Sequence, residues 1–565
     1  MLKLVHIFWC CCLFLACETT YAQNWNWAKT FGDTTANTIT TAITRYGESD
    51  ILIAGTFSSK TLKMGTFVLK NSGISDTFVA LLDSTGNYLW ANSFGGTSYE
   101  FLTSMAADKN GNIYLAGTFE SLSVKFGSQT LSNKGETDGF LVKINPEKEV
   151  EWAMGFGGLP YDIISGIATD ADANIFVTGH TADYQNNKFN IFTTKIDGQK
   201  NTLWLKKGTT SGFYANSSAL DVDDENNCYV TGLFNEHLIF DENNKITSTL
   251  IGEDPFPYYE NNAFIVKYTS DGDVVKGISI DSLHEGTGII CSMGNIYLSG
   301  EKINYGFGWG WPLADSKIYL GKYNNDLSNI WLKSTGGILQ YQSLDISNDI
   351  SADDSGNIYQ TGSFFSEGFK FGNDSLENIF NKEYYYQQIF VLKYNPEGSA
   401  VWGKFFGNTL CDIGTCIQAI SNDKFYLSGT FESNTLQLGT LVMQNNGYIR
   451  EEYVHLRPPR EVRNTFAFVA KYSDGPVGIK PNPKEHLAII YPNPVKNDLF
   501  ILLNETNING GEVSIYKIDG SLVWYKSIKP ANSKIGLNVT DFKPGIYLIK
   551  LKIDNVTSIH KVVKE

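Results

Sequence analysis

The side chains in this chain that are best suited to chemistry are aspartates that recur in one short phrase. Asp-x-x-Gly-Asn, or a close variant, begins at Asp108, Asp170, Asp223 and Asp353. Carboxylates in register suggest a calcium site, but these phrases lack the further carboxylates of a calcium loop. An Asp side chain also closes a tight turn on its own backbone, where Gly or Asn accepts a positive φ. We therefore interpret the four aspartates as turn residues and expect no metal and no other cofactor.

Catalytic groups do not stand out in the sequence. The six histidines beyond the N-terminal leader occur in no shared motif; they are His180, His237, His284, His455, His486 and His560. An enzyme needs a positioned acid, base or nucleophile. Paired carboxylates for glycoside hydrolysis can come from distant parts of a chain, so spacing does not exclude them. We expect a protein that is not an enzyme, and a polysaccharide-active or peptide-active enzyme is the alternative.

The elements that position any functional residue repeat seven times. Each repeat holds four short aromatic or β-branched segments bounded by Gly, Asn and Asp, which is the signature of strands, here named A to D. Strand B contains a phrase such as Asn-Ile-Tyr-Leu-Ala-Gly, and self-similarity at a near-constant period marks a repeat fold. The strand B glycines lie 53 to 68 residues apart and are Gly55, Gly117, Gly179, Gly232, Gly300, Gly362 and Gly429.

The strand count predicts a closed ring. The first D strand, Trp25–Phe31, precedes the first A strand, whereas the last C strand, which ends at Tyr472, has no D strand after it. Seven blades are complete only if these two ends join, which leaves few exposed edges. We therefore predict an all-β fold with a seven-bladed β-propeller over residues 24–473. An open solenoid is the alternative, and it would need capping repeats at its ends.

These repeats resemble a known family. The phrases Trp-Ala-x-x-Phe-Gly-Gly, Asp-x-x-Gly-Asn-Ile-Tyr-x-x-Gly and Asp-x-Phe-Val-x-Lys together resemble the bacterial β-propeller repeat of the SBBP type. The resemblance covers the predicted propeller and is weakest in the fifth repeat. It implies an exported or surface protein and implies no reaction.

Long insertions between strands B and C concentrate aromatic residues in the later repeats. All B–C connections of a four-stranded meander emerge on one side, together with the D–A connections, so these insertions gather on one face. Flat aromatic rings stack on sugars and anchor protein partners, although packing of the rings onto the blades is the alternative. The candidate binding residues are Tyr258, Tyr259, Tyr305, Trp309, Trp311, Tyr384, Tyr385 and Tyr386.

The N-terminus predicts export. Residues 1–22 combine a positive Lys3, an apolar run from Leu4 to Ala16 and a cleavage site after Ala22, as in a signal peptide. A lipoprotein cleavage before Cys17 is the alternative. The run is too short to span a bilayer, and no later segment is long and apolar enough, so we expect a chain that does not span a membrane.

The net charge bears on the choice of partner, and the cysteines bear on a possible cross-link within the chain. The formal net charge of −15 argues against a nucleic-acid partner, because such a partner requires a basic surface. Cys411 and Cys416 lie in one short predicted loop and are the candidates for a disulfide in an exported protein.

A linker at residues 474–486 precedes a second module at residues 487–565. Its short alternating strands predict a small immunoglobulin-like β-sandwich. The module closely resembles the type A C-terminal sorting domain of the type IX secretion system. The residues that carry this resemblance are Tyr491, Pro492, Asn493, Pro494, Gly545, Tyr547, Lys561 and Lys564. It implies a partner in the type IX secretion machinery and export across the outer membrane of a Bacteroidota-type cell. An ordinary adhesive immunoglobulin-like domain is the alternative.

These observations favour a secreted or cell-surface binding protein without catalytic activity. One face of the propeller would recognise a glycan or a protein. The alternatives are an enzyme that uses the central funnel of the propeller and a purely structural component of the cell surface.

Overall fold

The computed structural model describes residues 25–158, 161–186, 188–251, 258–307, 312–338, 345–366, 368–372, 374–377, 387–408, 410–452, 460–473, 488–491, 495–503, 511–517, 521–528, 534–553 and 556–564. The chain divides into two compact units, Gln23–Asp474 and a C-terminal unit that contains Gly475–Glu565. Each unit is described by itself below.

The first unit is all-β and propeller-like, with seven antiparallel sheets that each order their strands A-B-C-D. The strands of sheet one are Thr38–Tyr46, Asp50–Phe57, Asp76–Leu82 and Tyr88–Phe94. Those of sheet two are Glu100–Ala107, Ile113–Phe119, Asp138–Ile144 and Val150–Phe156. Those of sheet three are Tyr161–Thr169, Ile175–Asp183, Lys188–Ile196 and Thr202–Thr210.

The later sheets repeat this order. The strands of sheet four are Ala215–Val222, Cys228–Asn235, Asn261–Tyr268 and Val274–Ile280. Those of sheet five are Glu285–Ser292, Asn295–Phe307, Pro312–Tyr323 and Asn329–Ile338. Those of sheet six are Ile346–Ala352, Ile358–Phe364, Gln388–Tyr394 and Ala400–Phe406. Those of sheet seven are Asp412–Ser421, Lys424–Phe431, Phe466–Ser473 and, as predicted, the N-terminal Trp25–Phe31, which pairs with Phe466–Ser473.

The A strands face one another around a common centre. Each A strand lies against the A strand of the next sheet, and the A strand of sheet seven lies against that of sheet one. The buried side chains between successive sheets form the hydrophobic cores, in which strands B and C contribute the most fully buried residues. The seven sheets therefore hold the residues at the centre in fixed positions.

A lysine in strand C and a tryptophan in strand D fasten neighbouring sheets. In sheet two, Lys143 Nζ and Trp152 Nε1 both donate to the carbonyl oxygen of Gly198 in sheet three, at 3.2 and 3.1 Å. Lysines at the same position in later sheets, namely Lys267, Lys322, Lys393 and Lys471, also donate to oxygens of the next sheet. This fastening explains why the Lys and Trp of the repeat recur.

Extra hairpins between strands B and C lie on the outer side of the sheets. Four of them have the same form: Thr61–Met64 with Phe67–Lys70, Ser123–Phe126 with Gln129–Ser132, Gly368–Phe371 with Asp374–Glu377, and Thr435–Leu438 with Leu441–Gln444. A shorter variant, His237–Ile239 with Lys245–Thr247, pairs with the D strand of sheet three. Further short pairs join Leu250–Ile251 to Tyr258–Tyr259 and Ile449–Glu452 to Arg460–Arg463. Residues such as Leu62 and Val124 are fully buried, so the hairpins brace the sheets.

The C-terminal unit contains two sheets around one core. The first holds Ala488–Tyr491, Asp498–Leu503 and Lys534–Asn538, and the second holds Leu522–Ile528, Gly511–Lys517, Gly545–Ile553 and Val556–Lys564. Ile501 from the first sheet and Ile515 and Ile549 from the second lie in the same buried cluster. Within the described part of the chain, no helix is long and apolar enough to cross a membrane.

Candidate functional site

A ring of small polar side chains surrounds the centre of the first unit. In every A strand the register shifts by one residue after the pair formed with the strand B glycine. The extra residue of such a β-bulge re-aims its side chain. The seven bulge residues all line one central cavity of about 240 Å³; this bulge ring consists of Thr41, Thr103, Ser165, Ser218, Thr287, Asn348 and Thr415.

The bulge also explains the glycine that marks each repeat. A Cβ added at Gly117 would lie 2.1 Å from the carbonyl oxygen of Phe101, and one at Gly55 would lie 2.0 Å from that of Ile39. The same close approach occurs at the other five strand B glycines. Only glycine leaves room for the bulged A strand, so the sequence period and the bulge ring have one cause.

Three tyrosines occupy one equivalent position beside this ring. Tyr99, Tyr161 and Tyr214 each precede the bulge residue of sheets two, three and four by four positions. They lie at the end of the sheets where the D–A connections enter, here called the D–A end. The sequence analysis missed them, although each follows the glycine-containing turn after strand D, as in Phe-Gly-Gly-Thr-Ser-Tyr.

Neighbouring rings extend the tyrosines into two groups, one in sheets three and four and one in sheet two. Tyr184 contacts Tyr161 edge-to-face at a centroid distance of 5.4 Å and Phe189 at 5.3 Å, and Phe189 lies 5.8 Å from Tyr214. In sheet two, Tyr99 stacks on Phe101 at 5.8 Å with an interplanar angle of 7°. We call the two groups together the aromatic arc; it consists of Tyr99, Phe101, Tyr161, Tyr184, Phe189 and Tyr214.

The aromatic arc is fixed in place yet open to solvent. The hydroxyl of Tyr161 donates to the carboxylate of Glu136, which raises the pKa of Tyr161 and holds the ring. Tyr184 is 56% exposed and Phe101 43% exposed, and Phe213 beside the arc is 71% exposed. Exposed aromatic rings at adjacent positions are unusual on a monomeric surface and typify a binding site. The arc can stack on flat apolar faces while its hydroxyls remain available for hydrogen bonds.

The candidate binding residues predicted from the aromatic insertions are not part of the aromatic arc. Tyr258 and Tyr259 form a short strand paired with Leu250–Ile251, and the Tyr259 ring lies 5.9 Å from that of His237. Tyr305 lies on the extended B strand of sheet five, opposite Ala314. The others lie outside the described residues, namely Trp309, Trp311, Tyr384, Tyr385 and Tyr386.

A carboxyl pair also lies near the D–A end, in sheet five. Glu285 and Glu301 are directly opposite each other on strands A and B, and the Ser218 hydroxyl donates to Glu285 at 2.7 Å. Burial raises the pKa of Glu285. Burial, with the nearby charges of Glu285 and Asp345, raises the pKa of Glu301 to about 7. Two coupled carboxyls of this kind are suited to proton transfer.

The recurrent aspartates are turn residues, as expected. Asp108 Oδ1 accepts the backbone N–H groups of Asn110 and Asn112, both at 2.9 Å, and Asp108 Oδ2 accepts the Asn112 amide and the Tyr114 hydroxyl. Both oxygens are therefore occupied by bonds within the turn. Among the described residues, no group of three or more His, Cys, Asp and Glu side chains is arranged to hold a metal ion.

The predicted disulfide between Cys411 and Cys416 is wrong, since both residues are thiols in the structure. Cys411 precedes the A strand Asp412–Ser421, and Cys416 is buried within that strand. Five residues of extended chain span roughly 16 Å. A disulfide needs Cα atoms within about 7 Å of each other. Two cysteines separated by this length of extended chain cannot meet.

The sorting residues lie in or beside the second unit's strands. Tyr491 ends the strand Ala488–Tyr491, and residues 492–494, which include Pro492, Asn493 and Pro494, lie outside the described residues. Tyr547 is buried, and its hydroxyl donates to the Lys543 carbonyl at 2.9 Å. Lys561 and Lys564 lie on the last strand, where Lys564 pairs with Gly545.

Comparison with known proteins identifies this unit. Residues 489–565 match the family described as the secretion system C-terminal sorting domain. The segment is a type IX secretion sorting domain. The tail marks the chain for export by that machinery, to the cell surface or the medium.

Two curated relatives match at low identity. An uncharacterized WD repeat-containing protein of Acanthamoeba polyphaga mimivirus is 23% identical over 406 residues, which are 64% of this chain and 27% of that protein. The regulatory protein FlaEY of Caulobacter vibrioides is 22% identical over 295 residues, which are 48% of this chain and 30% of that protein. The chain thus spans less than a third of either relative. The WD-repeat relative agrees with the propeller-like fold.

Solved structures are similar only loosely. An acylaminoacyl peptidase of Pyrococcus horikoshii has 13% identity and a TM-score of 0.32, with 73% of this chain and 59% of that chain covered. A mutant apocarotenoid oxygenase of Synechocystis has 10% identity and a TM-score of 0.37, with 73% and 89% covered. Similarity at this level carries no argument about function.

Proposed function

We propose that this chain is a non-catalytic binding protein, exported by the type IX secretion system and carried on the cell surface or released. Its first unit is a seven-bladed β-propeller of the SBBP type that recognises a glycan or a protein, and its tail is an immunoglobulin-like sandwich. The export signal of a Bacteroidota-type cell and a cleaved signal peptide at residues 1–22 belong to the same proposal.

The aromatic arc is the observation that carries the proposed function. Its tyrosines recur at one position in three successive sheets, four residues before the bulge residues that line the central cavity. A propeller core needs no exposed aromatic residues there, because the equivalent position in sheet one is Asn37 and in sheet five Leu283. Rigid sheets fix the rings, so little ordering entropy is lost on binding. Stacking aromatic faces with hydroxyl groups nearby suit a sugar or an apolar peptide segment.

Binding of the purified mature chain to panels of polysaccharides and of cell-surface proteins tests the proposal. A Tyr161→Ala, Tyr214→Ala double variant removes two rings of the arc. Each ring is worth about 1 kcal/mol beyond its area, so we expect affinity to fall by roughly 30-fold. Tyr448→Ala is the matched control, because Tyr448 is 72% exposed on sheet seven, away from the arc.

The outcomes separate the candidate functions. Saturable binding that the double variant loses and the control keeps supports the arc as the site. Wild-type binding that the double variant retains places the site elsewhere and contradicts the proposal. Absence of any ligand from both panels favours a structural surface component.

The carboxyl pair of sheet five favours a second candidate, a polysaccharide-active enzyme. Glu301 would be the protonated general acid, because its pKa is raised to about 7, and Glu285 would be the ionised partner. Glu301 Oε2 is buried and has no hydrogen-bond partner among the described residues, which favours the protonated form of this carboxyl. Release of reducing ends from any bound polysaccharide, abolished by Glu301→Gln, would support this candidate. Binding without release in wild type would reject it.

A further inference from the structure

A second cavity, in sheet five and away from the arc, has lysine walls. Its volume is about 390 Å³, and it is lined by Lys317 from strand C, Lys333 from strand D and Lys370 from the hairpin Gly368–Phe371. No Asp or Glu is among its lining residues in the described part of the chain. A lysine-walled cavity is notable in a chain of net charge −15. We call it the lysine cradle.

The backbone holds two of these lysines on either side of a gap. Gly336 pairs with Lys370, and a Cβ on Gly336 would lie 3.5 Å from the Cα of Lys317. Adjacent strands are about 4.8 Å apart, so the two lysine Cα atoms are roughly 10 Å apart across a residue without a side chain. Lysine side chains are long and flexible, so the ammonium groups of both residues can reach a group the size of a sulfate or phosphate placed between them.

One carboxylate lies near the cradle without lining it: a Cβ on Gly336 would lie 3.3 Å from Asp345 Oδ2, which accepts the Ser366 hydroxyl. None of the ion pairs in the described residues includes Lys317, Lys333 or Lys370. Lys302, the neighbour of Lys317 on strand B, is different because it pairs with Glu260 at 3.4 Å. Like charges on adjacent strands repel, and an anion between them removes the repulsion.

In sheets one and two an aspartate lies beside the equivalent glycine. In sheet one the glycine is Gly95, which pairs with Lys125 of the next hairpin, and the residue beside it is Asp76. In sheet two the glycine is Gly157, and the residue beside it is Asp138. Sheet five has Lys317 where sheet one has Asp76, so the strand C residue beside the glycine changes from an acid to a base. The glycine and the hairpin lysine are the same in sheets one and five, so the difference between the two sheets is the charge of the strand C residue.

We propose that the lysine cradle binds an oxyanion, the sulfate, phosphate or carboxylate group of an acidic ligand. Lysine ammonium groups bind such anions as point charges and need no fixed bidentate geometry. The cavity is larger than a bare anion requires, so it also accommodates part of the molecule that carries the group. This site is independent of the aromatic arc and gives the chain a second, charge-selective contact.

Calorimetric titration of the mature chain at low ionic strength tests the proposal. The probes are inorganic phosphate, inorganic sulfate, a sulfated oligosaccharide and the same oligosaccharide without sulfate. We compare wild type with a Lys317→Gln, Lys370→Gln double variant. A Lys63→Gln, Lys125→Gln variant is the matched control, because both residues are exposed hairpin lysines in sheets one and two and the change in net charge is equal.

We expect saturable binding of the anionic probes, about tenfold weaker in the cradle variant and unchanged in the control. Binding should weaken as salt rises, since exposed charges are screened. Stronger binding of the sulfated saccharide than of free sulfate would identify a saccharide ligand, and equal binding would identify the free anion. Three results would overturn the proposal. They are an equal loss of binding in both double variants, equal binding of the oligosaccharide with and without sulfate, and no binding of any anionic probe.

Discussion

Asp412 provides the sharpest test of how buried carboxyls limit the stability of this fold. The residue begins the A strand of sheet seven and is completely buried. Its oxygens accept the Ser433 hydroxyl at 2.7 Å and the backbone N–H groups of Asn408 and Ser433 at 2.9 and 3.2 Å. Burial outweighs these bonds and, with the charge of Glu432, raises the pKa of Asp412 from 3.8 to about 7.

The upward shift of the Asp412 pKa determines how stability changes with pH. Between pH 4 and pH 7 the folded chain holds a proton on Asp412 that the unfolded chain has lost, so stability falls as pH rises. At 1.36 kcal/mol for each unit of pKa difference, the ionised carboxylate costs the folded state on the order of 4 kcal/mol above pH 8. About 2.5 kcal/mol of that cost disappears when the pH is lowered to 5.

Asp412→Asn removes the ionisation and one hydrogen-bond acceptor. Loss of the acceptor costs about 1 kcal/mol at every pH. We therefore expect the variant to be more stable than wild type by roughly 3 kcal/mol at pH 8 and less stable by roughly 1 kcal/mol at pH 3.5. The measurement is the urea midpoint of the propeller transition, followed by tryptophan fluorescence across this pH range.

Asp83→Asn is the control with the opposite sign. Asp83 is in an exposed turn, where hydrogen bonds from Asn87 and Thr85 lower its pKa. Its contribution to stability is present above pH 4 and is lost as the pH falls. A difference between Asp412→Asn and wild type that is independent of pH would refute the reasoning, because it would mean that Asp412 ionises normally in the folded state.

Two further predictions concern the fastening of the sheets. Lys195→Met leaves the buried Asp170 carboxylate without the ammonium group 3.0 Å away. We expect the free energy of unfolding, measured in urea, to fall by about 3–5 kcal/mol, with Lys207→Met as the exposed control. Gly95→Ala places a Cβ 2.0 Å from Asp76 Oδ1. We expect the free energy of unfolding in the same assay to fall by about 1–3 kcal/mol, and an unchanged urea midpoint would contradict this close packing.

The repeated part of the fold was predictable because its residues act locally. A glycine under a bulged strand and an aspartate that closes its own turn each have a cause within one sheet, and a lysine–tryptophan pair has a cause in the next sheet; each cause recurs along the repeats. The pairing of Trp25–Phe31 with Phe466–Ser473 was predictable by counting strands alone. The disulfide prediction failed because a strand was taken for a loop.

The candidate site was much less predictable. Composition drew attention to long aromatic insertions, whereas the aromatic arc uses single residues at one register position. Tyr99 and Tyr161 are visible only after the segments that follow strand D are aligned on the bulge. The lysine cradle depends on pairing between a sheet and the hairpin of the next repeat, and no sequence pattern specifies which lysines face each other across Gly336.

The repeat positions divide into those that hold the sheets and those that differ between them, and only the second kind can select a ligand. The strand B glycine cannot vary, because the carbonyl of the bulged strand fills the space of a side chain in all seven sheets. Residues at the start of the A strands and outside them are free of that constraint, and there the sheets diverge: tyrosine in sheets two to four, and in sheet five a carboxyl pair and, farther out, the lysine cradle. Seven equivalent sites would repeat the same residue seven times. Because the tyrosines of the aromatic arc occupy only part of the ring, the ligand proposed for the arc approaches the centre from one side.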